Sequence, residues 1–81
     1  MYYVYVIRSM KDGKLYIGQT NNLVKRIKEH NKGLVVSTKN RKPFKLIYYE
    51  GCNLLQDSLK REDSLKTGFG RAYLKRRLKN F

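Results

Sequence analysis

The chain has 81 residues, and its 19 Lys and Arg against 6 Asp and Glu give a formal charge of +13, which points to a polyanionic partner. An apolar fraction of 41%, with one proline and six glycines, excludes a disordered basic tail, and the length suits one folded domain over 1–81 with a thin core. One cysteine and one histidine exclude an internal disulfide and a zinc site of the usual thiolate and imidazole kind. The apolar N-terminus is far shorter than a membrane span, with no basic leader and no small-residue cleavage site, so no membrane contact and a cytoplasmic location are expected.

From Tyr2 to Arg8 nearly every residue is β-branched or aromatic, which predicts a central strand covered on both faces. Lys11-Asp12-Gly13-Lys14 supplies a turn, and Leu15-Tyr16-Ile17-Gly18 returns as a second strand. Asn21 or Asn22 caps a helix through about Lys32, which Gly33 ends. A basic loop from Leu34 to Pro43 follows, then a third strand from Phe44 to Glu50. Asn53 is expected to cap a second helix from Leu54 to about Lys66, broken by Gly68 and Gly70. A short third helix from Arg71 to about Lys79 turns Leu74, Leu78 and Phe81 toward the core. The fold class is therefore α+β, a small three-stranded sheet flanked by helices in the order ββαβαα.

Helical wheels at about 100° per residue single out a few polar groups. On the first helix Leu23 and Ile27 share a face, with Lys25, Lys28, Glu29 and Lys32 opposite. Arg26 and His30, one turn apart, lie at an edge of the apolar face, where each suits a structural boundary role as well as a functional one. On the second helix Leu54, Leu55, Leu59 and Leu65 form an apolar arc with Glu62 near its middle. A carboxylate aimed at a core needs a partner or a metal, so Glu62 is either half of a buried ion pair or a functional group. Seven tyrosines include Tyr3 and Tyr5 on one face of the first strand and Tyr16 on the second. A tyrosine near an arginine and a bound cation can serve as a general base.

Tyr3-Val4-Tyr5, Tyr16-Ile17-Gly18, Arg26 and His30 on the next helix and Glu62 on the one after, taken in that order, resemble the GIY-YIG nuclease superfamily over the whole chain. The stretch Arg61-Glu62, Leu65-Lys66-Thr67-Gly68, Gly70-Arg71, Leu74-Lys75 and Leu78-Lys79 resembles its small stand-alone bacterial members. The resemblance implies a phosphodiester hydrolase using one divalent ion, Mg²⁺ or Mn²⁺. It assigns Tyr5 and Tyr16 as the motif tyrosines, Arg26 as the catalytic arginine, His30 as the active-site histidine and Glu62 as the metal ligand. Two departures stand out: Tyr3 replaces a glycine, and Gln19 stands where relatives of the excision-repair nuclease carry a lysine.

The expected activity is a structure-selective or weakly specific endonuclease on nucleic acid, DNA rather than RNA, in repair or recombination. Lys39, Arg41, Lys42 and Lys45, with Lys75, Arg76, Arg77 and Lys79 on the last helix, are the candidate phosphate contacts. None of these reads sequence, so any targeting beyond nucleic-acid shape would come from a protein partner. A basic binding module without catalysis would account for the charge equally well.

Overall fold

The computed structural model describes residues 1–78. Its elements are β1 (Tyr2–Ser9), β2 (Leu15–Thr20), α1 (Leu23–Asn31), β3 (Phe44–Cys52), α2 (Leu55–Leu65) and α3 (Gly68–Arg77), in the expected ββαβαα order. The strands form one antiparallel sheet in the order β2-β1-β3. Central placement of β1 explains its two apolar faces, and Val4, Tyr5, Val6 and Ile7 are all fully buried.

Alternation along β1 divides the core in two. Val4 and Val6 face α2 and α3, packing with Leu65 and Leu74 and with the flanking Leu15, Ile17, Ile47 and Tyr48. Tyr5 and Ile7 face the other way, packing with Phe44 and with Leu23 and Ile27 of α1. Burying aliphatic side chains of this size contributes about 1.5–3 kcal/mol each, so these few residues carry much of the fold. The β1–β3 register shifts between Val6 and Ile7, whose partners are Tyr48 and Leu46. The extra residue, Ile47, lets two consecutive side chains of β3 join the α2 and α3 side.

The helix ends agree with the sequence in α1 and depart from it in α2 and α3. Asn22 caps α1 by accepting from the Lys25 N–H at 3.2 Å, and Gly33, with φ +77°, supplies the left-handed residue after its end. Asn53 does not cap α2; Leu54 occupies that position without a side-chain hydrogen bond. Gly68 and Gly70 do not interrupt the helices but form the first turn of α3, capped by Thr67 through the Gly70 N–H. A Cβ on Gly70 would overlap the backbone of Ser64 and Leu65, so glycine here permits close packing of α3 on α2. Leu74 is buried as expected, whereas Phe81 lies outside the described residues. No helix among the described residues is long and apolar enough to cross a membrane.

Candidate active site

The two motif segments meet across the β1–β2 ladder. Tyr5 pairs with Gly18 and Ile7 with Tyr16, placing all four on the α1 side. The Tyr5 ring lies across Gly18, where a Cβ would overlap the phenol Cζ and hydroxyl. The glycine of Tyr16-Ile17-Gly18 is therefore a seat for the tyrosine of the neighbouring strand. Tyr16 stands at the edge strand, half-buried, with its ring 6.4 Å from Tyr5 and 5.1 Å from His30.

His30 is fully buried and joins three segments. Its Nε2 lies 2.8 Å from the Tyr5 hydroxyl and its Nδ1 lies 2.7 Å from Thr38 Oγ1. Thr38 directs its hydroxyl proton to the Val35 carbonyl at 3.4 Å, so its oxygen accepts from Nδ1–H. That assigns Nε2 as the acceptor of the Tyr5 O–H. Burial, reinforced by the Arg26 charge, lowers the His30 pKa from 6.5 to about 4, and the ring is neutral at pH 7. Burial raises the Tyr5 pKa, opposed by Arg26 and reinforced by Tyr16 and Glu62.

Arg26 lies one turn before His30 on α1, half-buried, with Tyr5 the chief influence holding its guanidinium charged. It also pairs with Glu29 at 3.4 Å. Glu29, expected on the solvated face with the lysines, sits instead at the boundary beside Arg26.

Glu62 reaches the same place from the opposite helical layer. The inner stripe of α2 is Ser58, Arg61, Glu62 and Leu65, one helical face. Leu55 and Leu59, expected in the apolar arc, are each 44% exposed, and Leu54 more so. The carboxylate is 19% exposed and accepts from Lys66 Nζ at 2.9 Å, an i,i+4 pair. Its charge is felt by Tyr5, and Lys66 in turn responds to Glu62 first and more weakly to Tyr16.

The five residues thus converge along the β2 edge from β1, β2, α1 and α2. A cleft at each end adjoins them: Tyr16 and Lys66 line one beneath α3, and Arg26 lines the other with Gln19 and Asn22. Among the described residues no three His, Cys, Asp or Glu side chains gather as a metal cage. What the site offers is one carboxylate not held by an arginine, Glu62, paired instead with Lys66, and a guanidinium suited to phosphate, Arg26, bonded to Glu29. That donor chemistry fits Mg²⁺ or Mn²⁺, which accept one carboxylate when water and substrate oxygens complete the shell.

The candidate phosphate contacts scatter around this site. Lys39, Lys42, Lys45, Lys75, Arg76 and Arg77 are exposed, and Lys75 lines the cleft beneath α3. Arg41 is committed elsewhere: it bonds Asp12 at 2.9 Å and rests over the Phe44 ring. Lys79 lies outside the described residues.

Three partners escape a reading of the sequence. Lys66 is signalled only by its i,i+4 spacing from Glu62. Thr38 lies inside what reads as a featureless basic loop, and nothing in that stretch marks it as a buried partner. Glu50, expected only as a strand end, takes the Arg61 guanidinium at 2.9, 3.1 and 2.9 Å and the Tyr48 hydroxyl at 2.6 Å.

Comparison with known proteins agrees with this architecture. Residues 1–80 match the family model of the GIY-YIG catalytic domain. A UPF0213 protein of Clostridium perfringens is 45% identical over 67 residues, covering 82% of this chain and 71% of that protein. One from Staphylococcus saprophyticus is 40% identical over 67 residues, covering 82% and 80% respectively. The solution structure of a UPF0213 protein from Bacillus halodurans superposes with a TM-score of 0.54 at 29% identity, over 91% of this chain and 82% of that one. With motif tyrosines, helix residues and acidic helix falling in order on a shared fold, the chain belongs to the GIY-YIG family of nuclease domains and is similar to the small bacterial UPF0213 proteins.

Proposed function

We propose that this protein is a metal-dependent endonuclease that hydrolyses phosphodiester bonds in DNA, selecting structure rather than sequence, with the chain acting as one nuclease domain in the cytoplasm. The observation that carries the reading is the convergence of Tyr5, Tyr16, Arg26, His30 and Glu62 from four elements at one sheet edge. A fold-maintaining set would not need an arginine, a carboxylate and a half-buried phenol at a margin flanked by two clefts.

Burial divides the work between the tyrosines. Tyr5 is fully buried and bonded to His30, so it positions Arg26 and the Tyr16 ring instead of meeting water. Tyr16, at the open edge, orients the attacking water and relays its proton: the phenol oxygen accepts that proton while its own hydroxyl proton passes to solvent. The water oxygen bonds to phosphorus as the P–O bond to the leaving strand breaks, and the leaving oxygen takes up a proton from solvent. Arg26 donates to the non-bridging oxygens, where charge builds up, in a way that lysine's single ammonium does not match. Lys66, beside both Glu62 and Tyr16, supplies positive charge that Gln19 does not. Glu62 would hold the divalent cation, which when bound supplies neutralising charge for the leaving oxygen. Repair or recombination is the setting that suits cleavage of irregular DNA.

The test is cleavage of labelled duplex, single-stranded, flap and branched DNA with Mg²⁺ or Mn²⁺ at low salt. Wild-type protein should cut, Glu62→Gln should abolish cutting while still binding, and Arg26→Ala should lose about 10²–10³ in rate, with little rescue by Arg26→Lys. Tight binding without cutting on any of these DNAs would instead establish a basic binding module, with the Glu62–Lys66 pair as a structural contact.

A further inference from the structure

We propose that the cleft between β2 and α3 is a binding site for an unpaired DNA strand, which it leads away from the cut phosphate; this rests on the nuclease reading of the adjoining site. The cleft holds about 790 Å³, within the span of roughly 300–1,000 Å³ typical of ligand pockets. Lys14, Lys66, Arg71 and Lys75 line it, with Leu15, Leu74 and Leu78 supplying apolar surface, and Tyr16 brings it to the proposed reaction centre. Among the described residues no acidic side chain lines it.

The combination is specific in kind. Lys14, Arg71 and Lys75, with Lys66 already paired to Glu62, suit phosphates in any nucleic acid. Apolar surface inside the cleft does not suit a duplex, whose bases are hidden in the stack and whose exposed surface is sugar and phosphate. An unpaired strand has base faces and sugars free to bury there, and a phenol at the mouth against which a base can stack. The cleft on the far side of the site differs: Gln19, Asn21, Asn22, Lys25, Arg26 and Glu29 give it amides and mixed charge. The two clefts together favour a substrate whose cut phosphate lies where an unpaired arm leaves the remainder of the DNA.

The test is fluorescence anisotropy in EDTA with Glu62→Gln protein, so that binding is read without cleavage. The probes are a labelled single-stranded oligonucleotide, a flap and a blunt duplex. A cleft pair, Lys14→Glu with Lys75→Glu, is compared with an outer-face pair on α1, Lys28→Glu with Lys32→Glu, after circular dichroism shows both folded. The cleft pair should weaken single-strand and flap binding about tenfold beyond the outer-face pair. It should also reduce the slope of log affinity against log salt by about 1.4, roughly 0.7 for each single-strand phosphate no longer neutralised. The duplex should respond equally to both pairs. Equal weakening for all three DNAs, or weakening no greater than that of the outer-face pair, would overturn the proposal. Because the measurement needs no metal and no turnover, failure of the wild-type protein to cut would count against the nuclease reading alone.

Discussion

His30 carries no charge because burial and the Arg26 charge outweigh the one group, Glu29, that would stabilise it. Its ring is sealed beneath Tyr5 and Thr38, with the Arg26 guanidinium nearby and only Glu29 in its favour. In the unfolded chain it takes up a proton near pH 6.5, whereas in the fold it does so near pH 4. Between those values the unfolded state binds more protons, so stability is full above about pH 6.5 and falls as pH is lowered toward 4, by up to about 3 kcal/mol. Glu50 and Asp12, whose pKa values are lowered in the fold, add their own losses only below about pH 4.5. Urea unfolding at pH 7, 6 and 5 should therefore show wild-type stability declining across a range where His30→Gln, less stable at pH 7, stays nearly flat. Equal slopes in the two proteins would mean that His30 is not the group responsible. The helix pattern shows that His30 faces the sheet margin; its neutrality is hidden, because it depends first on complete burial, to which a loop with no periodicity to read contributes its partner Thr38.

At the level of elements, α2 shows what a wheel sees and what it misses. Of the four leucines that look like its core face, Leu54, Leu55 and Leu59 are exposed and Leu65 alone is buried, while its inner stripe also holds Arg61 and Glu62. The helix is turned this way by the polar cluster on β3 and α3: Arg61 grips Glu50 through Nε and Nη2 and lies over the Tyr73 ring at 4.8 Å, while Tyr48 links Glu50 to Tyr73. A bidentate pair fixes rotation as well as distance, so the next residue, Glu62, is aimed at the β2 edge. The inward direction of Glu62 is legible in the sequence, but the cause is not, since a single helix pattern contains no information on its partner strand. Glu50→Gln should lower stability by about 1–3 kcal/mol, in line with charged hydrogen bonds of this kind. It should also raise the Mg²⁺ concentration needed for half-maximal cleavage, without the total loss expected of Glu62→Gln. Leu59→Ala, on the exposed side of the same helix, should change neither by much. Thermal melts and metal titrations on the three proteins separate the outcomes, and an unchanged metal requirement in folded Glu50→Gln would refute the aiming role.

For the whole molecule, the charge of +13 is distributed so that its two effects oppose each other. Four of the six acids are tied to cations, in the pairs Asp12–Arg41, Glu29–Arg26, Glu50–Arg61 and Glu62–Lys66. Only Asp57 and Asp63 remain among the acids to balance an exposed surface rich in cations such as Lys25, Lys28, Lys32, Lys39, Lys42 and Lys45. Crowded like charges repel in the free fold, and salt screens them within about 10 Å at 0.1 M. Added salt should therefore raise the melting temperature of the free protein. The same salt should weaken DNA binding, because each neutralised phosphate on a duplex contributes about −0.9 to the slope of log affinity against log salt. About five neutralised phosphates would give a slope near −4.5, a weakening of roughly 500-fold between 50 and 200 mM. A rising melting temperature with a steeply falling affinity, measured on one preparation across that range, is the expected signature. A binding slope shallower than about −2 would mean that the excess charge serves something other than the phosphate backbone. Arg26→Ala, which removes one guanidinium at the proposed reaction centre, should shift that slope by no more than about 0.9 while reducing the cleavage rate by orders of magnitude.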